Sequence, residues 1–331
     1  VWSPYAELRW KGPDVIMSRM IGVIGGISGE ILCDRLHERG FQCLLIAGRE
    51  GESGLEKADA VIVEELSHHE AILQRVRALG VSEIILGTGH IVAIELAGYL
   101  ERHGVLTSND YKASILAKDK IRYKRELQKL GLNTPKFACF TGHGEDELRT
   151  ALEQVGLPCV VKSSIDRLLP QKCNTEAELR AAFDEVGATD SEILVEEFVD
   201  GVDCTIPYLN DMETVTPLMF SYYSKAESCS LKGFGKFTNH SLSKETEGRV
   251  MEYCKAAVEH IPTIGLCRID AIVTPAGEIF ILECNSVIVT GIHPNQIDYG
   301  LYFIKKEGID FAGKLVDVSL KIFDRKRGRT K

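Results

Sequence analysis

The chain has 331 residues, enough for two or three domains, and 44% of them are hydrophobic, as in ordinary globular proteins. A net charge of −9 argues against a general nucleic-acid-binding protein, which would carry a basic surface. The sequence shows neither an apolar run of about 20 residues that could cross a membrane nor a signal-like amino terminus, so we expect a cytoplasmic protein without membrane contacts.

Two further features of composition bear on function. The ten cysteines include no C-x-x-C pair, which argues against a zinc ribbon or a redox dithiol, and we expect them to be reduced and mostly buried. The one basic cluster, RKRGRTK at 325–331, could contact a phosphate-rich partner. Its alternative is a solvated, mobile end.

The first third of the chain predicts a parallel sheet. Residues 1–16 have no periodicity and are expected to form an irregular arm. Apolar runs then alternate with amphipathic stretches. The predicted strands are 20–25, 41–47, 60–63 and 83–87, and the predicted helices are 31–39, 67–79 and 91–103. This order predicts an N-terminal parallel α/β domain of the Rossmann-like type at 17–118.

A glycine-rich turn, GGISGE at 25–30, joins the first strand to the first helix. The dinucleotide-binding pattern G-x-G-x-x-G would need a glycine where Ile24 stands, so a nicotinamide cofactor is not expected. Backbone N–H groups at such a turn could bind a substrate carboxylate. The alternative is a tight turn that only lets helix and strand pack closely.

The middle of the chain predicts a smaller α+β unit, a central lid assigned to 119–200. Helices at 109–117 and 119–130 end before Asn133-Thr134-Pro135. Strands are predicted at 136–140, 159–162 and 193–198, and helices at 145–155 and 175–186. Lys162 ends a strand and Lys120 lies on a helix, so both could meet a phosphate, although either alone would usually be a surface residue.

The last unit is assigned to 201–331. The stretch 195–209 predicts two strands joined through Asp200 and Gly201, and acidic residues near this joint could hydrogen-bond a purine amine and ribose hydroxyls: Glu196, Glu197 and Asp203. Further predicted elements are strands at 205–209 and 215–223, a helix at 244–260 and a final helix at 311–323.

Two apolar runs, 267–273 and 279–284, flank a turn at 275–277 and predict an antiparallel hairpin. Side chains alternate faces along a strand, so Arg268 shares a face with Asp270, and Glu283 with Asn285. If these faces coincide, three oxygen-bearing side chains converge beside a guanidinium, which suits Mg²⁺. The alternative is an ordinary hairpin with a solvated polar face.

Taken in order, five segments resemble the ATP-grasp enzymes, especially the D-alanine:D-alanine ligase-like carboxylate–amine ligases. They are GGISGE at 25–30, AKDKIRYKRELQKLGLNTP at 117–135, PCVVK at 158–162, LVEEFVDGVDCTI at 194–206 and RIDAIVTPAGEIFILECN at 268–285. The resemblance runs from about Gly22 to Phe323. It implies an ATP-grasp architecture, with the N-terminal α/β domain followed by two α+β subdomains that clamp ATP.

The resemblance also implies roles for individual residues. It places Lys120, Lys162 and Lys225 on the phosphates, Glu196, Glu197 and the backbone near Val199 on adenine, and Asp203 on the ribose. Asp270, Glu283 and Asn285 would hold Mg²⁺, with Mn²⁺ as an alternative, while Arg268 would steady the charge that develops during phosphoryl transfer. On the substrate side, Ser28 and Glu30 belong to the glycine motif, whose glutamate meets an amino-acid ammonium, and His90 and His293 are candidate pocket residues.

The activity implied is ATP- and Mg²⁺-dependent joining of a small carboxylic acid, such as an amino acid, to an amine through an acyl phosphate. Three departures favour substrates other than D-alanine. SSIDRLLPQK after Lys162 has no glycine, so the phosphate cover would come from Ser163, Ser164, Arg167 or Lys172. SVIVTGIHP at 286–294 replaces the relatives' T-x-P-G-M-T segment, and GTGHIVAIE at 87–95 is the nearest counterpart of their H-G-x-x-G-E-D-G segment. A catalytically weak nucleotide-binding regulator stays open as an alternative, as does a homodimer.

Overall fold

The computed structural model describes residues 19–164, 168–189, 192–224, 236–237, 242–290 and 308–329, with the backbone alone at 223–224, 236–237 and 329. The predicted arm at 1–16 lies outside these ranges. A parallel α/β unit and two antiparallel sheets with helices make up the described chain, and they confirm the predicted α/β and α+β fold class.

The first sheet is parallel and has the strand order β3-β2-β1-β4-β5. Its strands are β1 Met20–Ile24, β2 Gln42–Ala47, β3 Ala60–Val63, β4 Glu83–Leu86 and β5 Leu106–Thr107. A short 3₁₀ turn at Gly26–Ser28 leads into α1 Gly29–His37, and α2 His69–Ala78 and α3 Ile91–Arg102 follow. The helices cover both faces, because α1 packs in one apolar core with Ile21 and Val23, whereas α2 and α3 pack in another with Ile24.

The second sheet, which we call the lid, is antiparallel and has the order β6-β9-β7-β8. Its elements are β6 Phe137–Phe140, α6 Glu145–Gln154, β7 Cys159–Ser163, β8 Gln171–Cys173, α7 Glu176–Gly187 and β9 Ile193–Glu197. Both lid helices share one apolar core with the strands. The sequence did not predict β8, because three residues are too few to show an alternating pattern.

The third sheet, which we call the hairpin sheet, contains β10 Val202–Asn210, β11 Val215–Pro217, β12 Ser221–Ser224, β13 Lys236–Phe237, β14 Gly265–Val273 and β15 Ile279–Asn285. The single strand predicted at 215–223 is wrong, because the structure has two strands there, each paired with β10. The break follows Pro217, which has no backbone N–H to continue the ladder.

Three helices pack around the hairpin sheet. They are α4 Tyr111–Lys118, α5 Lys120–Lys129 and α8 Lys244–His260. Their apolar side chains share one core with β10, β14 and β15. Asp110 and Asp119 cap α4 and α5 by accepting backbone N–H groups, which explains why two helices can follow each other so closely here.

The last helix, α9 Phe311–Arg329, packs against α1 and the first sheet. Its final turns are bound by the protein body: Arg325 pairs with Asp211 at 2.6 Å, and the Lys326 ammonium donates to the carbonyl of Thr107 at 2.9 Å. Arg327 pairs with the buried Glu83. These contacts contradict a mobile end for residues 325–327. None of the helices in the described ranges has the length and apolar character of a membrane span.

The domain limits at 17–118, 119–200 and 201–331 stay a prediction. The packing nevertheless connects the first and last of these units, since α9 lies on α1. The residues after β15 add a second connection, because Ile288 is buried in the core of the first sheet and the Thr290 N–H donates to the Ser28 hydroxyl at 3.0 Å.

Candidate active site

The hairpin brings its predicted polar side chains together on one face. In the register of β14 and β15, Asp270 lies opposite Glu283 and Arg268 lies opposite Asn285. On the other side of β14, Thr205 of β10 lies opposite Asp270. A β-bulge after Asp270 shifts the register beyond this point. The alternate residues, such as Ile269, point into the apolar core, which anchors the polar face in position.

Asp270 is the centre of this polar group. Its carboxylate accepts hydrogen bonds from the Thr205 hydroxyl at 2.6 Å and from the Arg268 guanidinium at 2.9 Å. The Asn285 amide lies 3.4 Å from Asp270 and 3.5 Å from Glu283. Burial raises the pKa of Asp270; the positive charge of Arg268 opposes this shift, whereas the Glu283 carboxylate adds to it.

This donor set fits a divalent cation. Two carboxylates close enough to disfavour each other's charge are stabilised when a cation lies between them. In the described ranges no group of three or more His, Cys, Asp and Glu residues forms a metal site. Asn285 lies close to both carboxylates and would add a third ligand through its amide oxygen, which a half-turn of the amide group presents in place of its nitrogen. The assignment of Asp270, Glu283 and Asn285 to Mg²⁺ stays a prediction.

A second charged group lies where the lid meets α5. The Lys162 ammonium, from β7, donates to the Glu196 carboxylate at 2.7 Å. Lys124, from α5, pairs with the same carboxylate at 3.2 Å and donates to the Thr134 hydroxyl at 2.6 Å. We call Lys124, Glu196 and Lys162 the lysine cluster. Its members are almost completely buried, with exposed side-chain fractions of 0%, 2% and 10%.

Local structure explains how the lysine cluster forms. Lys162 and Glu196 are diagonal neighbours on one face of the antiparallel pair β7 and β9. Burial alone would raise the pKa of Glu196, but Lys124 and Lys162 outweigh it and lower that pKa to about 2. Burial lowers the pKa of Lys124 to about 8, although Glu196 opposes the shift. Glu196 is therefore ionised across the physiological range.

Lys120 links the two charged groups. It is buried on the first turn of α5, and its ammonium lies 4.0 Å from the Glu283 carboxylate. Its backbone N–H donates to the carbonyl of Ser164, just after β7, at 3.3 Å. The structure thus brings the predicted phosphate residue Lys120 next to the predicted metal ligand Glu283.

Lys124 is the residue that sequence reasoning missed. It stands four positions after Lys120, and residues at this spacing share one face of a helix. This four-residue spacing indicates that Lys124 shares a helix face with Lys120. The sequence could not show that the second lysine is buried or that a lid carboxylate meets it, because both depend on the packing of separate elements.

Of the residues predicted to face the nucleoside, some are held by contacts within the protein and others lie on the linker or on β10. The Glu196 carboxylate is taken up by the lysine cluster, and the Glu197 carboxylate accepts the backbone N–H of Lys136 at 2.7 Å. Val199 lies in the linker between β9 and β10, and Asp203 is on the same strand and face as Thr205. Their contacts with adenine and ribose stay predictions.

The glycine turn has a structural role in addition to any binding role. A Cβ atom on Gly29 would lie 2.2 Å from the Ser53 carbonyl oxygen, so only glycine permits this close approach. The Ser28 hydroxyl accepts from Thr290, and the Glu30 carboxylate pairs with Lys57 at 3.1 Å. A substrate ammonium at Glu30 would therefore compete with Lys57.

The remaining predicted residues lie around the site or outside the described chain. Ser163, the last residue of β7, and Ser164 are buried, and the Lys172 ammonium lies 3.5 Å from the centre of the Phe198 ring. His90 is exposed at the start of α3. Arg167, Lys225 and His293 lie outside the described residues.

The fold and the site together define a protein of the ATP-grasp class: a parallel α/β unit, then a lid and a helix α5 whose buried lysines lie beside a hairpin that carries carboxylates. Residues 127–312 match the family described as "D-ala D-ala ligase C-terminus". This match covers more than half of the sequence. The chain belongs to this family.

Comparisons with individual proteins agree. The chain is 28% identical over 225 residues to a D-alanine–D-alanine ligase of Ectopseudomonas mendocina, covering 65% of this chain and 69% of that enzyme. It is 30% identical over 201 residues to the corresponding enzyme of Cupriavidus taiwanensis, covering 58% and 61%.

Solved structures show the same fold. An N5-carboxyaminoimidazole synthase from Aspergillus clavatus in complex with ADP has a TM-score of 0.76 at 17% identity, covering 92% of this chain and 77% of that one. An L-amino acid ligase from Bacillus licheniformis has a TM-score of 0.75 at 16% identity, covering 92% and 75%. Family and fold together make the protein an ATP-dependent ligase that forms C–N bonds.

Proposed function

We propose that the protein binds Mg²⁺-ATP between the lid and the hairpin sheet and joins a small carboxylic acid to an amine. One observation carries the proposal: Asp270 and Glu283 lie directly opposite each other, with Lys120 only 4.0 Å from Glu283. A carboxylate pair bordered by buried lysines suits a divalent cation that is bound to a polyphosphate.

In this proposal, different side chains bind different parts of Mg²⁺-ATP. Lys120 and Lys162 bind the phosphates as point charges, and Arg268 lies where it can stabilise negative charge on the transferred group. Asp270, Glu283 and Asn285 would hold Mg²⁺, which neutralises phosphate charge when bound. The linker at Val199 and the Asp203 carboxylate take the nucleoside.

The reaction has two steps. A carboxylate oxygen of the acid attacks the γ-phosphorus, the bond from that phosphorus to the β,γ-bridging oxygen breaks, and ADP leaves. The amine nitrogen then attacks the acyl carbon, the carbon–oxygen bond to phosphate breaks, and the amide forms with loss of one proton. Acid, amine and ATP thus give amide, ADP and phosphate. Positioning and charge neutralisation suffice, without a protein nucleophile.

Amino acids are the first substrates to test, because the relatives are D-alanine–D-alanine ligases and a structural neighbour is an L-amino acid ligase. Glu30 supports this choice, since its exposed carboxylate already binds an ammonium, that of Lys57. The replacement of the relatives' substrate segments at 87–95 and 286–294 favours a pair other than two D-alanines.

The test is phosphate release from ATP and Mg²⁺ over a matrix of D- and L-amino acids, small carboxylic acids and amines, with amide products identified by mass spectrometry. We expect ADP and phosphate in equal amounts with the amide, and only when both substrates are present. A protein that binds Mg²⁺-ATP tightly but releases no phosphate with any pair would instead support the nucleotide-binding regulator.

A further inference from the structure

Lys124 is a charged side chain without any exposed surface. Its ammonium contacts the Glu196 carboxylate and the Thr134 hydroxyl, and it lies 5.6 Å from the centre of the Phe137 ring. Fully buried lysines are rare unless they are paired, because removing an ammonium from water is costly. Lys124 is paired with a carboxylate that Lys162 already neutralises, so its burial serves something other than charge balance.

Lys124 joins two units of the fold. Its neighbour Tyr123 and, one turn on, Leu127 are buried in the core of the hairpin sheet, which fixes α5 to that sheet. Glu196 and Lys162 belong to lid strands β9 and β7. The pair of Lys124 with Glu196 therefore connects the lid to the body that carries the carboxylate hairpin.

The charges of the lysine cluster add to +1, because two ammonium groups share one carboxylate. With Lys124 in place, the single negative charge of Glu196 is shared between two cations, and the cluster keeps an excess positive charge for another anion. Without Lys124, Glu196 and Lys162 would form a neutral pair. Such a pair attracts a phosphate much less strongly than an excess cation does.

We propose that Lys124 is a positioning residue for nucleotide binding: it holds Glu196 and so leaves the Lys162 ammonium in place and charged for the phosphates. The inference rests on the proposed function, in that Lys162 contacts ATP. Lys124 itself touches neither nucleotide nor substrate; it acts through Glu196.

The experiment measures the dissociation constant of Mg²⁺-ATP by calorimetry for the full chain, because binding can be read without knowing the acid or the amine. Lys124→Met keeps the length and burial of the side chain and removes its charge. The substitution leaves Lys162 and Glu196 as a neutral pair, so we expect Mg²⁺-ATP to bind at least about tenfold more weakly. Lys124→Arg keeps the charge and is expected to restore most of the affinity.

Lys129→Met is the matched control. Lys129 lies on the same helix, its side chain is 68% exposed, and its ammonium pairs with Glu126 of that helix. Its substitution is expected to leave ATP affinity within twofold of the wild type. Lys124→Met with wild-type affinity and an unchanged melting temperature would overturn the inference.

A second measurement does not depend on how Lys124→Met folds. Lys124 faces Glu196 of β9 and Lys162 of β7, with a smaller influence from Glu283 of β15, and its pKa lies at about 8. Wild-type affinity for ATP should therefore fall between pH 7 and pH 9, as Lys124 loses its proton, and Lys124→Arg should lose this part of the pH dependence. Equal pH profiles for the two proteins would contradict the inference.

The two proposals fail separately. If no pair of substrates gives phosphate release, the proposed joining of a small acid to an amine fails, while the ATP affinities still report on Lys124. If Lys162→Met leaves ATP affinity unchanged, the nucleotide site is wrong and the inference about Lys124 falls with it.

Discussion

The two charged groups of the site, the lysine cluster and the hairpin carboxylates, have an excess of opposite charge. The lysine cluster has two ammonium groups for one buried carboxylate, and the pKa of Glu196 is lowered to about 2. The hairpin has two carboxylates beside one guanidinium, and the pKa of Asp270 is raised. The first environment favours an added anion and the second an added cation. A metal–polyphosphate complex supplies both, and Lys120 lies at the point where the two groups meet.

The largest effect is expected at the hairpin carboxylates. Glu283→Gln keeps the shape of the side chain and removes the charge that would hold the metal, so we expect turnover to fall by at least about a hundredfold. Steady-state phosphate release measures this loss once a substrate pair is known. Glu278→Gln, an exposed change on the same hairpin, is the control and should keep full activity. A metal-dependent, active Glu283→Gln protein would remove this residue from the cation site.

A smaller effect is expected at Lys162, in the lysine cluster. Lys162→Ala removes one of the phosphate-binding charges, and we expect the KM for ATP to rise by roughly ten- to a hundredfold. The same change at Lys129, an exposed lysine on α5, should leave the KM unchanged. If both variants need the same ATP concentration as the wild type, Lys162 serves only to pair with Glu196.

The smallest effect concerns stability without ligands. Because folding raises the pKa of Asp270, its contribution to stability is complete below the unfolded pKa and is lost as pH rises through the higher folded value. Asp270→Asn should therefore melt at the same or a higher temperature than the wild type at neutral pH. Mg²⁺ should raise the melting temperature of the wild type and not that of Asp270→Asn. A Mg²⁺-induced rise of equal size in both proteins would place the cation elsewhere.

The sequence predicted the arrangement of the hairpin side chains better than that of the lysine cluster, and the reason is physical. Alternation along two strands joined by a short turn nearly determines which of Arg268, Asp270, Glu283 and Asn285 share a face. The lysine cluster depends instead on three elements that are far apart in sequence, and no local pattern shows that α5 approaches the lid. The same reason explains why the docking of α9 on α1 was missed, since an amphipathic helix does not indicate which core it joins.

The chain enters the lid at Lys136 and leaves it at Glu197, and the two residues hold each other: the Glu197 N–H donates to the Lys136 carbonyl at 2.9 Å, and the Lys136 N–H donates to the Glu197 carboxylate at 2.7 Å. Just before this point, the Asn133 carbonyl accepts the N–H of Ile281 in β15 at 2.8 Å. The two chain crossings between the lid and the rest of the protein thus lie side by side and are joined by hydrogen bonds. A rotation of the lid would therefore take place at this crossing, and it would have to break the pair of Lys124 with Glu196, which also connects the lid to α5.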